Sequence, residues 1–197
     1  MSGVQLTGSS GRTVMVQDPA PARGLFVDGR WAQAAAGRTR SITCPADGQQ
    51  VAEVAECTPA DAEAAVASAR RAFDGGAWPG TSEKERGQVL LRTAELLERD
   101  KAVYARAEAL DTGKRYVEAE YDIDDIAACF RYYGGIAGTD AGRVIDTGVP
   151  GTISRVVHAP VGVCGLITPW NYPSCRRPGR WPPPCWPATP SSSNPAN

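Results

Sequence analysis

The sequence predicts an α/β chain, and three observations carry that expectation. Two turn-centred strand pairs open the chain, amphipathic helices with legible ends fill its middle, and a continuous apolar run over 161–168 leads into a proline-bracketed turn. Strands, then helices, then a run of the kind buried on both faces of a parallel sheet belong to that class.

Residues 1–24 are polar and broken by Gly and Pro, and read as a flexible leader. "GLFVDGRWA" sets Asp28-Gly29 between Phe26/Val27 and Trp31, a short-range hairpin signal. "SITCPADGQQVAEVAEC" repeats the idea with a longer Pro-Ala-Asp-Gly turn. In "TPADAEAAVASARRAFDGG" Thr58 caps a helix, Pro59 suits its first turn, and Gly75 and Gly76 stop it. Its apolar stripe is Ala62, Ala65, Val66, Ala69, Ala72 and Phe73.

A second helix opens at "SEKE", where Ser82 and Glu85 fit a capping box. Val89, Leu90, Ala94 and Leu97 form its inward stripe, while Arg92, Glu95 and Arg99 face water. "DKAVYARAEALDTG" predicts a helix ending at Gly113. The next helix, over 116–133, buries Ile123, Ile126, Ala127 and Phe130. An adjacent stripe carries Asp122, Asp125, Cys129 and Tyr132, and Gly134-Gly135 breaks the helix. "GRVIDTG" and "GTISRVVH" follow, the latter alternating like a half-exposed strand that includes His158. No internal repeat is visible.

With 197 residues, 42% hydrophobic and 22% charged, the chain has the size and composition of one globular domain. The net charge of -1 hides an asymmetry: from Ser174 onward there are three arginines and no acid, so the rest is net acidic. That balance offers no electrostatic case for nucleic acid or for a membrane surface. The N-terminus has no apolar stretch of signal-peptide type and no segment approaches a membrane span, so a cytoplasmic protein is expected. The six cysteines, at 44, 57, 129, 164, 175 and 185, form no C-x-x-C pair, and His158 is the single histidine. Zinc would want clustered ligands at short spacing, so no metal site is expected, and the thiols read as incidental in a reducing compartment.

Ligands of open α/β sheets bind beyond the carboxyl ends of the strands. "GLITPWNYP" puts Trp170, Asn171 and Tyr172 at such an end, with Pro169 and Pro173 stiffening the turn. An Asn amide held there can donate to a developing oxyanion, or it can make the local hydrogen bonds of a turn. Asp122 and Asp125, three apart, project from one side of a helix, either into a site or into solvent. Cys164, within the apolar run, and Cys129, on a helix, have no neighbouring base and read as small packing residues.

"VGVCGLITPWNYP" resembles the N-terminal signature of the aldehyde dehydrogenase superfamily, in which P-W-N-[FY]-P follows the first strand of the cofactor domain. "LFVDGRW", "ARRAFDGGAWP", "RGQVLLRTAELLERDK", "ALDTGK" and "RYYGGIAG" resemble that family in the same order, over about residues 24–173. "DIDDIAACFRYY" and "GLITPWNYP" are most similar to the betaine aldehyde and aminoaldehyde dehydrogenases. The resemblance implies that residues 25–173 are the N-terminal part of a Rossmann-like cofactor-binding domain, with part of the oligomerisation strands. It implies oxidation of a small aldehyde, betaine aldehyde or an aminoaldehyde, to the acid with NAD. A cysteine thiolate attacks the aldehyde, Asn171 holds the oxyanion, hydride passes to NAD, and a glutamate activates the water that releases the acid. Ile167, Thr168, Pro169 and Trp170 would line the nicotinamide side. Tyr172 would line the substrate tunnel, where an aromatic face suits a cation, and Asp122 and Asp125 would meet the substrate's positive end. The segment holding His158 would help to build a homo-oligomer interface.

The same resemblance places the nucleophilic Cys, the general-base Glu and a ribose-binding Lys beyond the P-W-N turn. A truncated chain, inactive alone and without a full NAD site, is therefore expected. From Ser174 to Asn197 there is no Val, Ile, Leu, Met, Phe, Asp, Glu or Lys, so residues 174–197 read as a non-native, disordered tail. Back-translated with permissible, mostly G/C-ending codons and read one base back, the tail decodes to LLQAAWKVAPALLAGNTFVVKPSE. That resembles the family's continuation, including K-P-S-E, so a one-base deletion near the Pro173 codon is expected. The alternative is a non-enzymatic binding module that presents "RWPPPCWPATPSSSNP" as a polyproline II ligand.

Overall fold

The computed structural model describes residues 24–139 and 141–174, together with the backbone of 5–7, 13–15 and 20–23. The expected tail lies outside the described residues except for Ser174.

Asp28-Gly29 makes the hairpin it signals. Strands β4 (Leu25–Val27) and β5 (Arg30–Ala32) pair antiparallel, and Asp28 (φ 56°) and Gly29 (φ 75°) supply the two left-handed residues of a tight turn. Phe26 lies opposite Trp31 with ring centroids 5.2 Å apart, edge to face. Ser68 Oγ donates to Asp28 Oδ1 (3.2 Å), fastening the turn to the first helix.

β6 (Thr39–Thr43) and β7 (Gln50–Ala55) form the second expected hairpin. The expected leader differs from its reading. Within it β1 (Gln5–Thr7) pairs antiparallel with β2 (Thr13–Met15), and β3 (Ala20–Arg23) pairs parallel with β7. β6 occupies one edge of β7, and the other edge still offers backbone donors and acceptors that β3 takes up. Pro21 is compatible with this place because β3 is an edge strand.

The helices begin where their caps say. Thr58 opens α1 (Pro59–Gly75) and Ser82 opens α2 (Glu83–Arg99), each in a reciprocal capping box, with Asp61 and Glu85 reaching back to the cap. α3 (Lys101–Thr112) ends on Gly113 at φ 72°, and α4 (Tyr116–Ile136) follows. One core joins α2, α3 and α4: Leu90 and Ala94, then Ala105 and Ala109, then Tyr116, Ala119, Ile123, Ile126, Ala127 and Phe130. Arg131 pairs with Glu98 and Lys101 with Asp124, linking α4 to α2 and α3 on the outside.

Four expectations are corrected. Val66 and Val89, placed on inward stripes, are exposed, because α1 buries its Ser68–Ala69 side and α2 its Leu90–Ala94 side. Gly134-Gly135 does not break α4, which runs on to Ile136. The strand expected to hold His158 stops earlier: β8 (Arg143–Asp146) and β9 (Ile153–Val156) form a hairpin, and His158 lies beyond it. The run 161–168 forms no strand; Val161 is 73% and Ile167 87% exposed. Among the described residues no strand lies alongside this run, so its backbone has no ladder to join, and only Gly162 within it is fully buried. The Rossmann-like parallel sheet expected there is thus not formed by the described residues, although the helix-and-strand α/β character stands.

Candidate functional site

The turn after the apolar run comes to rest against the start of α4. Trp170, Asn171 and Tyr172 line an open groove of about 460 Å³ together with Thr112, Lys114, Glu118, Tyr121 and Asp122. Three of the expected site residues, Asn171, Tyr172 and Asp122, are therefore brought together, and Trp170 joins them at the rim. Asp125 is exposed on α4 and is not among the lining residues.

Beneath the groove sits an ion triad that the sequence reading missed. Lys114 Nζ donates to Asp122 Oδ2 (2.5 Å) and to Glu108 Oε1 (3.1 Å), and all three side chains are nearly buried, Glu108 at 2% exposure and Lys114 at 11%. Burial pulls the Lys114 ammonium down, but the hydrogen bonds to Asp122 and Glu108 outweigh it and hold the pKa above the ordinary lysine value. Tyr172 lays its ring over the same ammonium, 4.3 Å from Nζ to the centroid. Ser174 Oγ donates to the second oxygen of Glu108 (2.6 Å). Burial, reinforced by the Glu108 charge, pushes the neighbouring Asp111 carboxyl up.

The local reasons are clear. Glu108 stands on the Ala105/Ala109 face of α3, a face that must be buried. Gly113 ends the helix in the left-handed region and lets Lys114 turn back under Glu108. Thr112 braces the corner: its hydroxyl donates to the Glu108 carbonyl (2.7 Å) and accepts from the Lys114 N–H (3.3 Å). A carboxylate amid an alanine face, followed by Gly-Lys, is the one signal by which the sequence marks this pair.

The arrangement changes what Asp122 can do. Its carboxylate is engaged by the chain's own lysine, which it shares with Glu108, so what it offers a cation in the groove is its part of the single net negative charge of the triad. The aromatic rings of Trp170 and Tyr121 also line the groove, with Glu118, itself paired to Arg115, while the Tyr172 ring already covers the Lys114 ammonium on one face.

The residues expected to meet NAD are placed less favourably. Ile167 and Trp170 project largely into solvent, and Thr168 and Pro169 are half-buried on irregular backbone. Of the four only Trp170 lines the groove, and as they stand they do not by themselves fit a dinucleotide. The free thiols among the described residues are Cys44, Cys57, Cys129 and Cys164. Burial raises the Cys129 thiol, and raises Cys57 too, with Asp61 adding to it; neither is activated. Cys164 is half-buried and off any strand, its Sγ 3.8 Å from the Gly162 carbonyl. Among the described residues no group of three or more His, Cys, Asp or Glu is placed to hold a metal, and no helix is long and apolar enough to cross a membrane.

Capped helices thus stand beside short sheets, with an Asn-bearing turn set over the Asp122 face of α4. The sequence model described as "Aldehyde dehydrogenase family" matches residues 31–182, and the chain belongs to that family. The match runs past Pro173, where the composition changes. Betaine aldehyde dehydrogenase of Bacillus subtilis (strain 168) is 47% identical over 149 residues, covering 76% of this chain and 30% of the relative. Retinal dehydrogenase 2 of Homo sapiens is 41% identical over 152 residues, covering 76% and 29%. The crystal structure of Staphylococcus aureus betaine aldehyde dehydrogenase in complex with NAD+ superposes with a TM-score of 0.78 at 38% identity, covering 82% of this chain and 32% of that one. An NAD-dependent aldehyde dehydrogenase from Sinorhizobium meliloti gives 0.74 at 33% identity, covering 78% and 31%. The chain thus spans about 30% of the length of the curated relatives it matches.

Proposed function

We propose that this chain supplies the oxyanion-holding turn and one wall of the substrate groove in an NAD-dependent oxidation of a small aldehyde, betaine aldehyde or an aminoaldehyde, to its acid. The observation that carries the reading is the meeting of Asn171, Tyr172 and Trp170 in one groove on the helical face of Asp122. Asn171 there has the chemistry to donate its amide N–H to an oxygen that gains charge as a nucleophile adds to the carbonyl. Tyr172, Tyr121 and Trp170 offer faces suited to an ammonium or trimethylammonium end. The family relation and the NAD+ found in a related crystal structure support NAD as the hydride acceptor, with Ile167, Thr168, Pro169 and Trp170 on its nicotinamide side. A cytoplasmic setting and a homo-oligomer complete the reading.

The nucleophile and the general base are not among the described residues, and the chain by itself is proposed to be inactive. We read the loss of Val, Leu, Ile and acidic residues after Pro173 as the mark of a one-base deletion in the coding DNA. The test is direct. Restore the frame by one base at the Pro173 codon, express the resulting protein, and follow NAD reduction with betaine aldehyde and with 4-aminobutyraldehyde. Turnover is expected from the restored protein and none from the 197-residue chain, with Asn171→Ala lowering kcat about 10²–10³-fold. A restored protein with no aldehyde-dependent reduction, or with Asn171→Ala at full rate, overturns the reading.

A further inference from the structure

From the Lys114 contacts we infer that Lys114 is a positioning residue: clamped between Glu108 and Asp122, its ammonium is the seat on which Tyr172 rests, and that seat fixes the direction of the Asn171 amide. The value of this to catalysis rests on the oxyanion role proposed above.

Three observations carry the inference. The ammonium is held by two carboxylates from different elements, Glu108 on α3 and Asp122 on α4, so its position is over-determined. Tyr172 covers the same atom at 4.3 Å, directly after Asn171 in sequence. Ser174 then bonds the free oxygen of Glu108 at 2.6 Å, so in this 197-residue chain the turn touches the triad at two points, two residues apart; the restored frame, which reads Leu at 174, keeps the Tyr172 point alone. The backbone of 157–174 has no strand to hold it, and these contacts fasten its end. A buried ion triad is a weak source of net stability, since apolar side chains of equal volume would do as well. A cation is needed, however, to attract an aromatic face and to carry two carboxylates at once. That makes geometry, not stability, the use of Lys114.

The chain has three lysines, which makes a spectroscopic test simple. In the 197-residue chain labelled with [13C]lysine, the Lys114 ε-methylene resonance, assigned by its loss in Lys114→Arg, is expected upfield of Lys84 and Lys101 because it lies over the Tyr172 ring. Tyr172→Leu is expected to abolish that displacement and to move the side-chain amide resonances of Asn171, while the circular dichroism melt stays that of the parent. Lys114→Arg, which keeps a cation under the ring and both carboxylate bonds, is expected to leave the Asn171 resonances in place; Lys114→Met is expected to move them. A Lys114 resonance with no upfield displacement overturns the inference, as do Asn171 resonances unchanged in Tyr172→Leu. Should Lys114→Met fail to fold, Tyr172→Leu and Lys114→Arg decide alone. None of these measurements uses aldehyde or NAD, so they can fail while the restored enzyme turns over, and the reverse.

Discussion

Gly87 and Gly134 face each other where α2 crosses α4, and neither has room for a side chain. A Cβ on Gly87 would lie 2.8 Å from the Gly134 carbonyl oxygen, and one on Gly134 would lie 3.0 Å from that of Gly87 and 2.8 Å from Leu91 Cγ. The crossing joins the two helices that supply most of the core.

The first prediction follows from that contact. Alanine in place of a helical glycine gains about 1 kcal/mol of helix propensity, whereas overpacking a tight contact costs about 1–3 kcal/mol. The obstacles are the Ala137 Cβ (2.6 Å) and the Gly134 carbonyl at Gly87, and Leu91 with the Gly87 carbonyl at Gly134, none of which can easily move aside, so the cost wins: Gly87→Ala and Gly134→Ala lower the urea midpoint. Gly135, one residue on, has nothing near its would-be Cβ, so Gly135→Ala gains about 0.5–1 kcal/mol in the same assay.

Removing the charge of Lys114 leaves two buried carboxylates facing each other. Lys114→Met is expected to cost about 3–5 kcal/mol in urea unfolding, and Lys114→Arg markedly less, since a guanidinium still serves both acids. Equal losses for the two variants would mean that packing, not charge, holds this corner.

Asp111 gives a pH signature with a defined sign. Burial, then the Glu108 charge, raises its folded pKa above the unfolded value, so the folded state binds the proton more tightly. The stabilising protonation is complete below the unfolded value, about 3.9, and is lost as pH rises through the folded pKa. Asp111→Asn therefore melts higher than the parent at pH 7, and the gap closes on acidification. A gap that is constant with pH would locate the effect elsewhere.

The α2 cap behaves in the opposite sense. The Ser82 hydroxyl, then its backbone N–H, hold the Glu85 carboxyl below its usual value, so this contribution is present above the unfolded pKa and is lost as pH falls through the folded one. Ser82→Ala is expected to cost about 1 kcal/mol at neutral pH, and its difference from the parent to shrink in acid, as read by thermal melts across pH.

What the sequence revealed, it revealed through local chemistry. The Asp28-Gly29 turn, the Thr58 and Ser82 caps and the Gly113 stop each depend on residues within one turn of each other, and each formed where expected. Gly134-Gly135 misled because glycine serves both a broken helix and a close crossing, and only Gly87 on another helix distinguishes the two. The run 161–168 misled because a pattern states what a strand would bury, not whether a neighbour is there to receive it. In the groove, Asn171, Tyr172 and Asp122 were legible as a motif and a helix stripe. Lys114 was not, because its meaning comes from partners at 108, 122 and 172 that meet only through the tertiary fold.

The hairpin β8–β9 and the run that follows carry Val144, Ile153, Val157, Val161 and Ile167 on the outside, each more than 70% exposed. Oily groups on a flank of this kind find each other by collision, and the number of encounters grows with the concentration of the protein. How much protein is in the tube is therefore as much a variable as temperature or buffer, and a dilution series belongs at the start of any work on this polypeptide.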